Sequence, residues 1–289
     1  MYEIAVKHEQ YKTYILSDET ALSRLEVVPE RGGIVTRWQL QGQEIFYLDR
    51  ERFANPGLTV RGGIPILFPI CGNLPDNTYI HLGKEYTLKQ HGFARELPWK
   101  VTDQVTNDLA SLTLVLDSNS QTRTVYPFDF NVCFTYQLKG NSLEIKQRYE
   151  NRSASLMPFS AGFHPYFLVD DKSQLDIDIP ADQYQEKGSQ EFHPGGGVFD
   201  FNQDEIDVAF RDLTSKSASV TDHSRQLQLT VTWDDTYSTL VFWTVKGKDF
   251  YCLEPWTGPR NALNTGENLL TLEPGAQMET FVRIAAKFL

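Results

Sequence analysis

"FTYQLKGNSLEIKQRY", residues 134–149, alternates apolar and polar side chains on both flanks of Lys139-Gly140-Asn141. Phe134, Tyr136 and Leu138 share one face before the turn, and Leu143 and Ile145 resume the pattern after it. A two-residue period sends neighbouring side chains to opposite faces of a strand. The stretch therefore reads as an antiparallel hairpin with one face buried. "SLTLVLDS" (111–118) repeats the pattern through Leu112, Leu114 and Leu116, and "RQLQLTVTW" (225–233) through Leu227, Leu229, Val231 and Trp233. "IVTRWQLQGQEIFYL" (34–48) reads as a further hairpin turning near Gln41-Gly42. No stretch longer than about ten residues keeps the 3.6-residue apolar period of a helix. Short strands separated by turns predict an all-β sandwich or barrel.

The chain has 289 residues, of which 40% are hydrophobic, enough for a large core. No Pro/Ser-rich linker or low-complexity tail interrupts it, so one domain over residues 1–289 is expected. "RGGI" occurs at 31–34 and 61–64, with flanks too different for an internal repeat. The segment 181–225 is polar and Gly-rich around "HPGGG", and reads as surface loop.

A formal net charge of −11 argues against nucleic acid, which demands a basic surface to displace counterions. It argues equally against an anionic membrane surface. Cys71, Cys133 and Cys252 are odd in number and lack metal-type spacing, so they read as reduced thiols. "MYEIAVKHEQYK" lacks the apolar stretch of a signal peptide, and "IPILFPIC" is too short to span a bilayer. The expectation is a cytoplasmic protein, a monomer or weak dimer, with a small-molecule partner.

There is no phosphate-binding P-loop, no G-x-S-x-G elbow and no C-x-x-C pair. A metal site would have to gather His81, His91 and His164 from separate strands. Four segments remain. "VRGGIPILFP" (60–69) places Arg61 before two glycines, which would let backbone pass close to a ligand. "KQHGFARELPW" (89–99) carries His91 and Arg95 around Gly-Phe-Ala. "AGFHPYF" (161–167) sets His164 among aromatic rings, and "YCLEPWTGPRN" (251–261) sets Glu254 among apolar ones. Each has a structural reading as well: His164 as packed core, His91 as a strand cap, Arg61 and Arg95 at the surface, Glu254 paired with Arg260.

Together and in this order, "RGGIPILFP", "HGFAR", "FHPYF" and "EPW" resemble the aldose 1-epimerase (mutarotase) family. They are especially similar to its glucose-6-phosphate 1-epimerase branch. "PERGGIVTRWQLQGQEIFYLD" (29–49) also resembles the family's N-terminal region, so the likeness covers nearly the whole chain. The resemblance implies a β-supersandwich of the galactose mutarotase type. It implies His164 as general acid, Glu254 as general base and His91 as a second active-site histidine. It implies Arg61 and Arg95 as phosphate ligands, and Asp207, in "EIDVAFRDL" (205–213), as a substrate-binding aspartate.

Anomer interconversion takes a proton from the C1 hydroxyl and delivers one to the ring oxygen, a task for an acid and a base expected on opposite sides of the sugar ring. The reaction makes no redox change, so no metal or organic cofactor is expected. Phe163, Tyr166, Phe167 and Trp256 are available to stack on a pyranose or to fill the core. A free-sugar aldose 1-epimerase and a non-catalytic carbohydrate-binding protein are the alternatives. A glycoside hydrolase fits less well, since it usually needs two carboxylates and only Glu254 offers itself.

Overall fold

The computed structural model describes residues 1–189 and 191–289. The opening hairpin forms as read. Strands Phe130–Lys139 and Ser142–Asn151 pair antiparallel, with Tyr136 opposite Ile145 and Leu138 opposite Leu143. All five residues of its apolar face are buried. The hairpin lies inside an eight-stranded sheet that also holds Ala110–Asp117, Leu227–Trp233 and the long Gln277–Phe288.

A five-stranded sheet comes from the N-terminus. Its turn at Gln41-Gly42 takes positive φ at both residues, 50° and 84°, matching the twist of the flanking strands. A third, eight-stranded sheet carries Glu205–Phe210, Thr239–Val245, Phe250–Trp256, Gly162–Phe163, Tyr166–Leu168 and Ile66–Leu67. Among the described residues every strand pair within the sheets is antiparallel, and the three α-helices have six residues or fewer.

Apolar faces of all three sheets meet in one contiguous core, including Leu16, Trp38, Leu114, Tyr136, Phe167 and Leu253. Aromatic packing dominates its centre, where Phe68 contacts Phe93, Tyr126, Phe130, Tyr149 and Phe159.

The third sheet has two working faces. On strand 250–256, Tyr251 and Leu253 enter the core, while Phe250, Cys252, Glu254 and Trp256 face away from it. On strand 205–210, Ile206, Val208 and Phe210 enter the core, leaving Glu205 and Asp207 on the opposite face. Alternation thus builds a core and a polar cleft from the same residues.

Two expectations are corrected. Segment 181–225 is not a surface loop: it contains strands Gln183–Glu186, Phe192–Pro194, Glu205–Phe210 and Ser217–Asp222. These runs are short, and their polar sides face solvent or the cleft, which hides the apolar side. Gly62 and Gly63 serve the fold rather than a ligand. A Cβ on Gly62 would lie 2.5 Å from the Leu48 backbone, and one on Gly63 2.0 Å from the Val35 carbonyl.

Candidate active site

The cleft of the third sheet holds a cavity of about 300 Å³ lined by all six residues singled out in the sequence: Arg61, His91, Arg95, His164, Asp207 and Glu254. Asp207 and Glu254 lie on strands of the sheet, His164 between two short strands, and Arg61, His91 and Arg95 on turns packed against them.

His164 and Glu254 form the floor. Gly162 pairs with Trp256, which carries the "FHPYF" segment beside the "EPW" strand. His164 Nε2 lies 3.4 Å from Glu254 Oε1, and both residues are buried. Trp256 Nε1 donates to Glu254 Oε2 at 3.2 Å. The two groups expected on opposite sides of a ring therefore sit side by side. Burial, with Asp207 adding to it, pushes the Glu254 carboxyl well up. Burial, with Arg95 and Arg260 nearby, pushes the His164 imidazole well down. Each group is driven to its neutral form, so the pair holds one proton between them over a wide pH range.

His91 is clamped by the chain turn opposite. Its N–H donates to the Gly72 carbonyl at 2.7 Å, and the Gly72 N–H donates to His91 Nδ1 at 3.0 Å. With Nδ1 accepting, the neutral ring carries its proton on Nε2, which has the Gln90 side-chain amide 3.3 Å away. Burial, with Arg95 beside it, holds this imidazole well below its usual range. His91 is thus a neutral donor, its ring 5.6 Å from that of His164 and edge-on to Trp256 at the same separation.

The rim is cationic. Arg52, Arg61 and Arg95 all line the cavity, and none has a carboxylate within 4.0 Å among the described residues. Arg95 donates to the Gln90 carbonyl at 3.0 Å, Arg52 to that of Thr59 at 3.1 Å, and the Arg61 guanidinium lies 5.9 Å from the Trp243 ring. Asp207 accepts from Arg260 at 2.6 Å and faces Lys187 at 3.0 Å.

Other readings resolve differently. Glu254 does not pair with Arg260, which is taken by Asp207. His81 packs on Phe128 at 4.8 Å and does not line the cavity, so the three-histidine metal set does not assemble. Phe163 and Phe167 belong to the core, against Phe134 and Tyr251, whereas Tyr166 and Trp256 are cavity walls. The three cysteines are free thiols. Cys252 Sγ lies within 4.8 Å of the His164 and Glu254 donor atoms, its thiol pushed up by burial. No helix among the described residues is long and apolar enough to cross a membrane.

Sequence reading missed Arg52, Lys187, Glu205, Trp243 and Arg260 as cavity residues. Only Arg260 carried a signal, its place six residues after Glu254. The rest are ordinary surface types until the strands pair.

Residues 16–285 match the family model described as aldose 1-epimerase. The crystal structure of the Slr1438 protein from Synechocystis sp. PCC 6803 is 48% identical, with a TM-score of 0.95 over all of both chains. Galactose 1-epimerase from Lactobacillus acidophilus shares the fold at 16% identity, with a TM-score of 0.78 over 100% of this chain and 99% of that one. A Cenchrus ciliaris protein, whose name proposes glucose-6-phosphate 1-epimerase activity, is 26% identical over 281 residues, 88% of this chain and 79% of its own. The fold is accordingly of the galactose mutarotase type, and the chain belongs to the aldose 1-epimerase family, an isomerase that interconverts sugar anomers.

Proposed function

We propose that the substrate is a hexose 6-phosphate, such as glucose 6-phosphate, with Glu254 as base and His164 as acid. The observation that carries this reading is the arrangement of the cavity. An acid–base pair 3.4 Å apart forms its floor, under three arginines without carboxylate partners among the described residues. In a protein of charge −11, three such guanidinium groups around one opening favour an anionic ligand.

The anomeric hydroxyl and the ring oxygen share one carbon, so their proton positions are close neighbours. Side-by-side groups serve both. Glu254 takes the C1 hydroxyl proton as His164 protonates the ring oxygen, and the C1–O5 bond breaks to give the open aldehyde. Rotation about C1–C2 presents the other carbonyl face, and the two transfers run in reverse. The neutral pair first passes its proton from Glu254 to His164 across 3.4 Å; opening then converts the resulting carboxylate and imidazolium back into a neutral acid and a neutral imidazole, so the one-proton count is kept throughout. His91 donates from Nε2 to the sugar oxygens near C1. Asp207, whose two oxygens already hold Arg260 and Lys187, accepts from a sugar hydroxyl at the cavity wall. Arg61 and Arg95, with Arg52, hold the phosphate bidentately, as planar guanidinium groups can.

Anomer exchange of glucose 6-phosphate and of glucose, followed by NMR with wild type and Glu254→Gln, tests the reading. The expected result is kcat/KM at least ~10²-fold higher for the phosphate, abolished in the variant. Equal efficiency on free glucose would remove the phosphate assignment and leave a general aldose mutarotase.

A further inference from the structure

The His164 ring lacks the support that usually orients a working histidine. A general acid or base imidazole commonly has its second nitrogen hydrogen-bonded to a carbonyl or carboxylate, which fixes ring orientation. Here Nε2 faces Glu254, while Nδ1 is buried and has no hydrogen-bond partner among the described residues. Something else must hold the ring.

The structure offers one group in position. Tyr166 lies flat against His164, ring centroids 4.7 Å apart and planes 8° from parallel. Both side chains line the cavity. The Tyr166 backbone is held from two directions: its N–H donates to the Gly63 carbonyl, and its carbonyl accepts from Tyr47, each at 2.9 Å. Its ring is wedged from behind by Phe250 at 4.9 Å and edge-on by Trp243 at 5.8 Å. Trp243 is itself fixed by its Nε1 donating to Glu205 at 2.6 Å, and it meets the His164 ring edge-on at 5.4 Å. The imidazole is therefore bounded by the parallel face of Tyr166 and by two roughly perpendicular rings, Trp243 and His91.

We infer that Tyr166 is the positioning residue for His164, its ring face taking the place of the missing hydrogen bond. A parallel aromatic face resists ring flipping and tilting. Its electron-rich surface also favours the imidazolium form during proton transfer. The role belongs to the ring, since the Tyr166 hydroxyl makes no hydrogen bond to the described residues. This inference rests on the assignment of His164 as the acid.

The test uses Tyr166→Phe, Tyr166→Leu, Tyr166→Met and His164→Asn in the full chain, with anomer exchange and histidine side-chain NMR as readouts. Tyr166→Phe, which keeps the ring face, should lose much less kcat than Tyr166→Leu. Tyr166→Leu should lose at least ~10-fold in kcat with KM little changed, and the His164 ring signals should broaden or show a second tautomer. Tyr166→Met, unbranched and able to fill irregular space, should show the same split if the leucine variant does not fold. A Phe variant as impaired as Leu, or Leu and Met variants at wild-type kcat while His164→Asn is inactive, would overturn the inference. Near-wild-type turnover in His164→Asn would instead remove the assignment of His164 as acid.

Discussion

Arg260 closes on Asp207 at 2.6 Å and leaves Glu254, six residues before it in the chain, without a guanidinium partner. Burial is the main cause of the raised Glu254 carboxyl, and this choice of partner adds to it. Asp207 raises the Glu254 carboxyl, while Arg260 acts to lower it. Asp207→Asn removes the first effect and frees Arg260. The alkaline limb of kcat/KM, which marks loss of the last proton from the pair, should move to lower pH, with kcat reduced about tenfold. A pH–rate profile in which this limb stays fixed would contradict the coupling.

Glu254→Gln and His164→Asn should each lower kcat by at least ~10², the scale of general acid–base catalysis. Folding should persist in both, since glutamine is isosteric with glutamate and asparagine keeps a polar hydrogen-bonding group at the cavity wall. Turnover near wild type in either variant, measured by anomer exchange, would contradict the assignment.

Stability should depend on pH in opposite senses through the two members of the pair. Above the ordinary glutamate value of 4.5 the unfolded chain loses the Glu254 proton, while the native state keeps it. Wild-type stability from this group therefore falls as pH rises toward the raised native value. Glu254→Gln lacks that loss, so its stability relative to wild type should climb by about 1.4 kcal/mol per pH unit in that window. His164 and His91, both lowered, act the other way. Below 6.5 the unfolded chain binds protons that the native rings refuse, so stability falls with falling pH. Denaturant melts of wild type and variant from pH 4 to 8 measure both slopes, and parallel curves for the glutamine variant would contradict the first.

Arg95→Lys should raise KM for glucose 6-phosphate about tenfold or more, equivalent to ~1.4 kcal/mol, with kcat little changed. Lysine supplies charge without the bidentate fork. The parallel measurement on free glucose should show almost no effect, and equal losses on both sugars would point to a structural role for this arginine.

Gly72→Ala should damage the cavity from outside it. Gly72 has a φ of +71°, and an added Cβ would lie 2.5 Å from the Arg260 side chain while straining the turn that clamps His91. A cost of about 1–3 kcal/mol in stability is expected, with a fall in kcat as His91 loses its fixed tautomer. An unchanged melt and unchanged turnover would contradict both.

The strands that carry the core were legible because burial on one face writes an alternation into the chain. Phe134 to Ile145, Leu112 to Leu116 and Leu227 to Trp233 need no partner to be read. His164 among aromatic rings and Glu254 among apolar ones stood apart from their surroundings, but their roles, and Asp207 altogether, came from the family resemblance. The strand Glu205–Phe210 escaped, since its polar face belongs to the cleft and its apolar face spans only three residues.

What tertiary structure decided was partnership. Nothing in "EPWTGPR" says that Arg260 chooses Asp207 over Glu254, or that Lys187 joins it from the turn after strand Gln183–Glu186. Nor does "HGFAR" announce that Gly72 fixes the His91 tautomer. The alternation of one strand determines which side chains share a face. Which of them touch depends on register between strands far apart in sequence, and that is set only when the sheets pack.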